Sequence, residues 1–185
     1  MTRIYLPGTS SSLSELENGK LLSDSDAYEM PLASIAHAVT TELRRLNDAA
    51  SEDDLEYVAF SRAAVAAVDL LSRQAAPQPF RVVVAADVPD TFLAELNEAE
   101  DDSRVRVTGH IPAAKVAAIH VDADEAREDV TAAAAVWTKA MDGDKAALAD
   151  VEAVEDHELE WYHPTELPEL MQKLFGELFR GVVPG

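Results

Sequence analysis

The stretch HELEWYHPTELPELM, residues 157–171, puts two histidines, four glutamates and two aromatic residues within fifteen positions. Metal ligation is the first chemistry such a set suggests. His157-Glu158 opens like the H-E-x-x-H helix of a zinc protease, in which histidines four apart share one helix face and one ion. Position 161 is Trp, and the next histidine is His163, six residues on. Leu159 and Trp161 alternate with Glu158, Glu160 and Tyr162, which reads as a strand. Six residues at ~3.3 Å each would hold the two histidines about 20 Å apart. No metal site is expected here, and no cofactor is expected anywhere in the chain.

Two other stretches could bind something. Thr9, Ser10, Ser11 and Ser12 follow Pro7-Gly8 at the start of a helix. Free N–H groups and hydroxyls at such a place suit a phosphate or carboxylate. Asp87 leaves the most apolar strand, and ligands of open α/β sheets collect at the carboxyl ends of strands. Asp122 and His163 are expected at the same rim. The candidate ligand site is therefore Thr9, Ser10, Ser11, Ser12, Asp87, Asp122 and His163. The plainer reading of these residues is a helix cap at 9–12 and a strand terminator plus cap at 87–90.

Other signatures are missing. There is no G-x-x-x-x-G-K, no G-x-G-x-x-G and no G-x-S-x-G. The D-x-D pairs, Asp24/Asp26, Asp122/Asp124 and Asp142/Asp144, lack the rest of a calcium loop and read as turns and caps. No catalytic residue can be named, and whether the protein is an enzyme stays open.

The elements that must position these residues alternate in type. TRIYLP (2–7) reads as a strand closed by Pro7-Gly8. A helix follows, with Ser12 and Glu15 in a capping-box pattern and Asn18-Gly19 as its stop. Residues 34–39 fit a strand or part of a helix running over 33–47, with Thr40 or Thr41 capping TELRRLN. Ser51 opens the clearest helix, about 52–74. RVVVAADVPD (81–90) is the best strand, and the run Val82–Ala86 requires cover on both faces. Asp90 is expected to cap a helix carrying Phe92, Leu93 and Leu96. RVRVT (104–108) alternates charge and valine like an edge strand. VAAIHVDA (116–123) is a buried strand, close enough to 104–108 for an antiparallel pair. Asp124 is expected to cap a helix to 141 with Trp137 and Met141 inward, and Asp142-Gly143-Asp144 to start a short one. Thr165 is expected to cap a last helix with Leu167, Leu170, Met171, Leu174, Phe175 and Leu178 on one stripe. The tail at 180–185 should fray.

The fold class that follows is α/β: a single domain over 1–185, with a mixed sheet of five or six strands and helices on both faces. The chain has no cysteine, so disulfides and thiolate metal sites are excluded, which suits a reducing cytoplasm. MTRIYLPGTSSS is not expected to act as a secretory signal, and no stretch approaches the ~20 apolar residues of a membrane helix. No membrane association is expected. The formal charge is −20, from 35 acids against 15 bases. Such a field repels phosphate backbones, so no nucleic-acid partner is expected.

The segments RIYLP, RVVVAADVP, AAIHVDADEA and HELEWYHPTELP together resemble an uncharacterised actinobacterial family, a domain of unknown function. The resemblance implies a bacterial, cytoplasmic, single-domain protein and carries no activity. The opening strand and helix also resemble ADP-ribosyltransferase-type domains more distantly. Those place a histidine where this chain has Leu6 and Pro7, so that activity does not carry over.

The expected function is a non-enzymatic acidic protein acting through protein–protein contacts, with a basic protein as partner. The first alternative is an enzyme or binder of a phosphate- or carboxylate-bearing small molecule at the strand ends. The second is a nucleic-acid mimic. The sequence leaves oligomeric state open.

Overall fold

A computed structural model describes residues 1–17, 34–74, 76–96, 102–108, 111 and 113–179. Seven strands form one sheet: β1 (Thr2–Thr9), β2 (Ser34–Ala38), β3 (Arg81–Val88), β4 (Leu93–Glu95), β5 (Arg104–Val107), β6 (Val116–Asp122) and β7 (Leu159–Tyr162). Their order is β4-β5-β2-β1-β3-β6-β7, and every recorded pair is antiparallel. Six α-helices accompany it among the described residues: α1 (Ser10–Glu17), α2 (Thr41–Leu46), α3 (Glu52–Arg73), α4 (Arg127–Met141), α5 (Lys145–Glu152) and α6 (Leu167–Phe179).

The α/β class holds, while the strand count and the mixed pairing do not. The extra strand is β4, which the sequence suggests is helical. Asp90 caps no long helix: its carboxylate takes the N-terminal ammonium at 3.0 Å and the Thr2 hydroxyl at 2.9 Å. A single 3-10 turn follows, and Leu93–Glu95 then pairs with β5. That pairing moves β5 off the edge and places it between β4 and β2. β5 and β6 do not pair. Residues 34–38 resolve as strand, with Thr40 capping α2 through Leu43 N–H.

The layers follow from which side of each strand is apolar. Ile4, Leu6, Val82, Val84, Ile119 and Val121 face Leu13 of α1 and Leu167 and Leu170 of α6. Their alternates Tyr5, Val83, Ala85 and Ala118 face Ala59, Ala63 and Ala64 of α3. Val82, Val83 and Val84 are therefore buried whichever way they point. The far side of α3 is covered in turn, with Val68 meeting Val130 and Ala133 of α4 and Ala147 and Val151 of α5. Ser51 starts α3 with a capping box, its hydroxyl accepting from Asp54 N–H while the Asp54 carboxylate accepts from Ser51 N–H, a device worth about 1 kcal/mol.

β1 runs through Pro7-Gly8 instead of stopping there. β2 is registered only against Ile4 and Tyr5, so the N–H that Pro7 lacks is not called on by that ladder. Gly8 is required by a close approach: a Cβ there would stand 2.8 Å from Ser12 Oγ. Ser12 itself lies inside α1 and accepts from Thr9 N–H at 3.1 Å, so it does not open a box with Glu15. Asp124 lies in a 3-10 turn before α4 and makes no cap bond. Met141, expected inward, is exposed. Asp144 caps α5 through Ala146 and Ala147 N–H. His163, and not Thr165, caps the turn into α6. Asn18-Gly19, Asp24/Asp26 and the 180–185 tail lie outside the described residues.

Candidate functional site

The residues singled out from the sequence do not converge. In the β1–β3 ladder Arg3 faces Asp87 while Thr9 faces Arg81. Thr9 and Asp87 are thus six positions apart along antiparallel strands, about 20 Å. The shared rim presupposed carboxyl ends pointing the same way, which an antiparallel sheet does not provide. Asp122 lies at the Thr9 end, since Val82 pairs with Val121. His163 lies just past Tyr162, which pairs with Ile119, so it belongs toward the other end.

Each of these residues is also internally engaged. The Ser10 hydroxyl, fully buried, donates to Gln78 C=O at 2.8 Å and accepts from Gln78 N–H at 3.1 Å. Thr9 Oγ1 accepts from Ser11 N–H at 3.3 Å. Asp87 holds Arg3 in a two-pronged ion pair, at 2.7 and 3.0 Å, which keeps its carboxyl below the usual range. His163 Nδ1 meets Thr165 Oγ1 at 2.8 Å. Asp122 accepts from Arg81 through both oxygens, with both side chains buried. Each of these contacts ties one part of the fold to another.

What the fold does open is a groove of about 840 Å³ on the α3 side of the sheet. α3 covers the centre, where Ala59, Ala63 and Ala64 bring it close to the sheet. Beyond it β6 and β7 continue uncovered, and the step between helix and sheet is the groove. Its floor is Tyr5, Ala85, Ala118 and His120, and one wall is Glu56, Tyr57, Phe60 and Ala64 of α3. The other wall is Glu155, His157 and Glu158, in the turn before β7. Two aromatic residues stand open at its lips: Tyr57 is 68% exposed and Trp161 58%. Alternation in HELEWYH already places His157, Leu159 and Trp161 on one face, and all three line this groove.

Its polar groups divide by partner. The Tyr5 hydroxyl donates to Glu56 at 3.2 Å. Burial, then the Glu56 charge, raises the Tyr5 pKa, so the phenol stays protonated. Phe60 packs edge-on to Tyr5, with centroids 5.8 Å apart, and lies 4.7 Å from the His120 ring. Among the described residues no hydrogen bond reaches either nitrogen of His120. Burial, helped by the Arg3 cation, lowers its pKa to about 4, so it is neutral at pH 7. His157 Nε2 meets Asp129 at 2.6 Å. Among the described residues no three histidine, aspartate or glutamate side chains are grouped as metal ligands.

The His120 shift has a testable consequence. Between pH 6.5 and about 4 the unfolded chain protonates this imidazole and the folded chain does not. The unfolded state then binds more protons, so stability rises with pH across that window. We expect urea midpoints to fall from pH 7 to 4.5 by the equivalent of about 2 kcal/mol, and His120→Phe to flatten that slope. The Asp87–Arg3 pair acts in a lower window, being lost only as Asp87 itself protonates. An unchanged slope in the variant would refute the assignment.

The family comparison covers nearly all of this architecture. The model of DUF6912, a family of unknown function, matches residues 2–171. The chain belongs to this family. The match runs from β1 into α6 and so takes in every strand and every groove residue named above. No curated protein and no solved structure matches the chain. Among the described residues no helix is long and apolar enough to cross a membrane.

Proposed function

We propose that this protein is a binding module whose groove receives a basic segment of a partner protein. One observation carries the reading. Three arginines line the groove, and each is already neutralised: Arg3 by Asp87, Arg62 by Asp102 and Arg81 by Asp122. Four acids line it, Asp53, Glu56, Glu155 and Glu158, and among the described residues none is held in a salt bridge, Arg3 reaching Glu56 only at longer range. The charge left at the groove is therefore net negative. A chain of formal charge −20 adds long-range attraction for a cation. Exposed aromatic faces at Tyr57 and Trp161 suit cationic and aliphatic contact together.

The test must separate the groove from general acidity. Anisotropy of a dye-labelled hexalysine peptide would be measured against two quadruple variants of equal charge change. One neutralises Asp53, Glu56, Glu155 and Glu158. The other neutralises Glu125, Glu128, Asp142 and Asp150, which are exposed and do not line the groove. The groove variant should bind roughly tenfold more weakly and the remote variant less than about threefold, in low salt. Equal losses in the two variants would reject the reading.

A further inference from the structure

The groove's charge calls for a cation, but its floor carries something more selective. Glu56 sits one turn before Phe60 on α3, and Tyr5 links the two: its hydroxyl reaches Glu56 and its ring packs on Phe60. On the other side Phe60 touches His120. Two acceptors thus lie at the two ends of the Tyr5–Phe60 pair. Tyr5 occupies Glu56 Oε2, and among the described residues nothing donates to Oε1. His120 offers a ring nitrogen that no described residue reaches. His120 is registered directly opposite Trp161, so the two side chains leave the same face of the sheet, with the exposed indole 6.3 Å from the His163 ring.

We propose that this corner is a head-group subsite for an arginine side chain of the partner, with His120 as its specificity-determining residue. This rests on the reading of the groove as a site for a basic segment. The guanidinium is flat and stacks on an aromatic face, and it carries donors pointing in several fixed directions. Stacked on Trp161, it can donate to the His120 nitrogen along one edge and to Glu56 along another. A lysine ammonium satisfies the charge of Glu56 but gains little from the indole plane and has no rigid fork to span two acceptors. Because the imidazole is neutral at pH 7, it accepts a hydrogen bond there instead of repelling the cation.

The probes are three labelled hexapeptides: hexalysine, hexalysine with one central arginine, and the same peptide with citrulline in place of that arginine. Citrulline keeps the shape and removes the charge. The arginine peptide should bind roughly tenfold more tightly than hexalysine and the citrulline peptide less tightly than either. His120→Phe should bring the arginine-to-lysine ratio close to one, and His120→Gln, which keeps an acceptor, should restore part of the preference. The wild-type protein supplies an independent readout: the His120 imidazole 15N shifts should move with the arginine peptide and stay still with hexalysine. No arginine preference, or a preference that survives His120→Phe, overturns the subsite and leaves the groove reading standing. Hexalysine that ignores the groove acids overturns the groove reading itself.

Discussion

Replacing Asp122 by alanine should destabilise the protein by about 3–5 kcal/mol, a large share of the roughly 5–15 kcal/mol expected for a domain. Arg81 and Asp122 are the most enclosed ion pair among the described residues, with side chains 3% and 0% exposed. The carboxylate accepts from the Arg81 backbone N–H at 2.7 Å as well as from its guanidinium. The guanidinium then donates to His157 C=O at 2.8 Å. One buried pair thereby ties the start of β3, the end of β6 and the turn before β7. Removing the acid strands a cation whose side chain is only 3% exposed, and that is the source of the loss. Removing both charges is a different experiment. Arg81→Met with Asp122→Leu should recover much of the stability, because an apolar pair escapes the desolvation cost that an ion pair must offset. Urea unfolding decides it: a single variant within 1 kcal/mol of wild type would show that the pair is not shielded.

That clamp was only half visible in the sequence. Asp122 is read there as a rim residue, and Arg81 as the first residue of a strand. Their meeting depends on β3 and β6 being antiparallel neighbours, which no local pattern encodes. The same limit explains the larger error. Val82–Ala86 announces burial on both faces correctly, because that is a property of one segment. Whether Asp87 and Thr9 share an end of the sheet is a property of two, and antiparallel pairing sends them to opposite ends. β5 looks like an edge because Arg104 and Arg106 alternate with valines, yet β4 lies beside it. A three-residue strand is too short for period two to register. His120 is inconspicuous in the sequence for a related reason. In VAAIHVDA it is one polar residue in an apolar run, and Glu56 is one acid on a helix. Only the packing of α3 on β1 and β3, with β6 running alongside, brings them to the two ends of the Tyr5–Phe60 pair.

Ala63→Leu should cost about 3 kcal/mol, the upper end for overpacking, and lower the melting temperature by about 6–12 °C in a chain of this size. Ala59, Ala63 and Ala67 fall at four-residue intervals along α3, and each is fully buried. Ala59 and Ala63 pack on Tyr5, Val83 and Ala85 of the sheet. Methyl groups alone set the spacing there, and interiors are packed without voids to absorb a longer side chain. Nor can α3 retreat freely, because α4 and α5 cover its other side through Val68. Ala66→Leu serves as the control. It makes the same change at a half-buried position of the same helix, so helix propensity is matched and only the packing differs. The groove depends on this close approach, since it is the step left where a helix sunk onto an alanine surface meets strands that run on past it. Ala63→Leu should therefore weaken hexalysine binding even where the protein remains folded, while Ala66→Leu leaves it unchanged. A leucine at 63 that alters neither the melting point nor the binding would mean that α3 rides higher on the sheet, and that the step beside it has another cause.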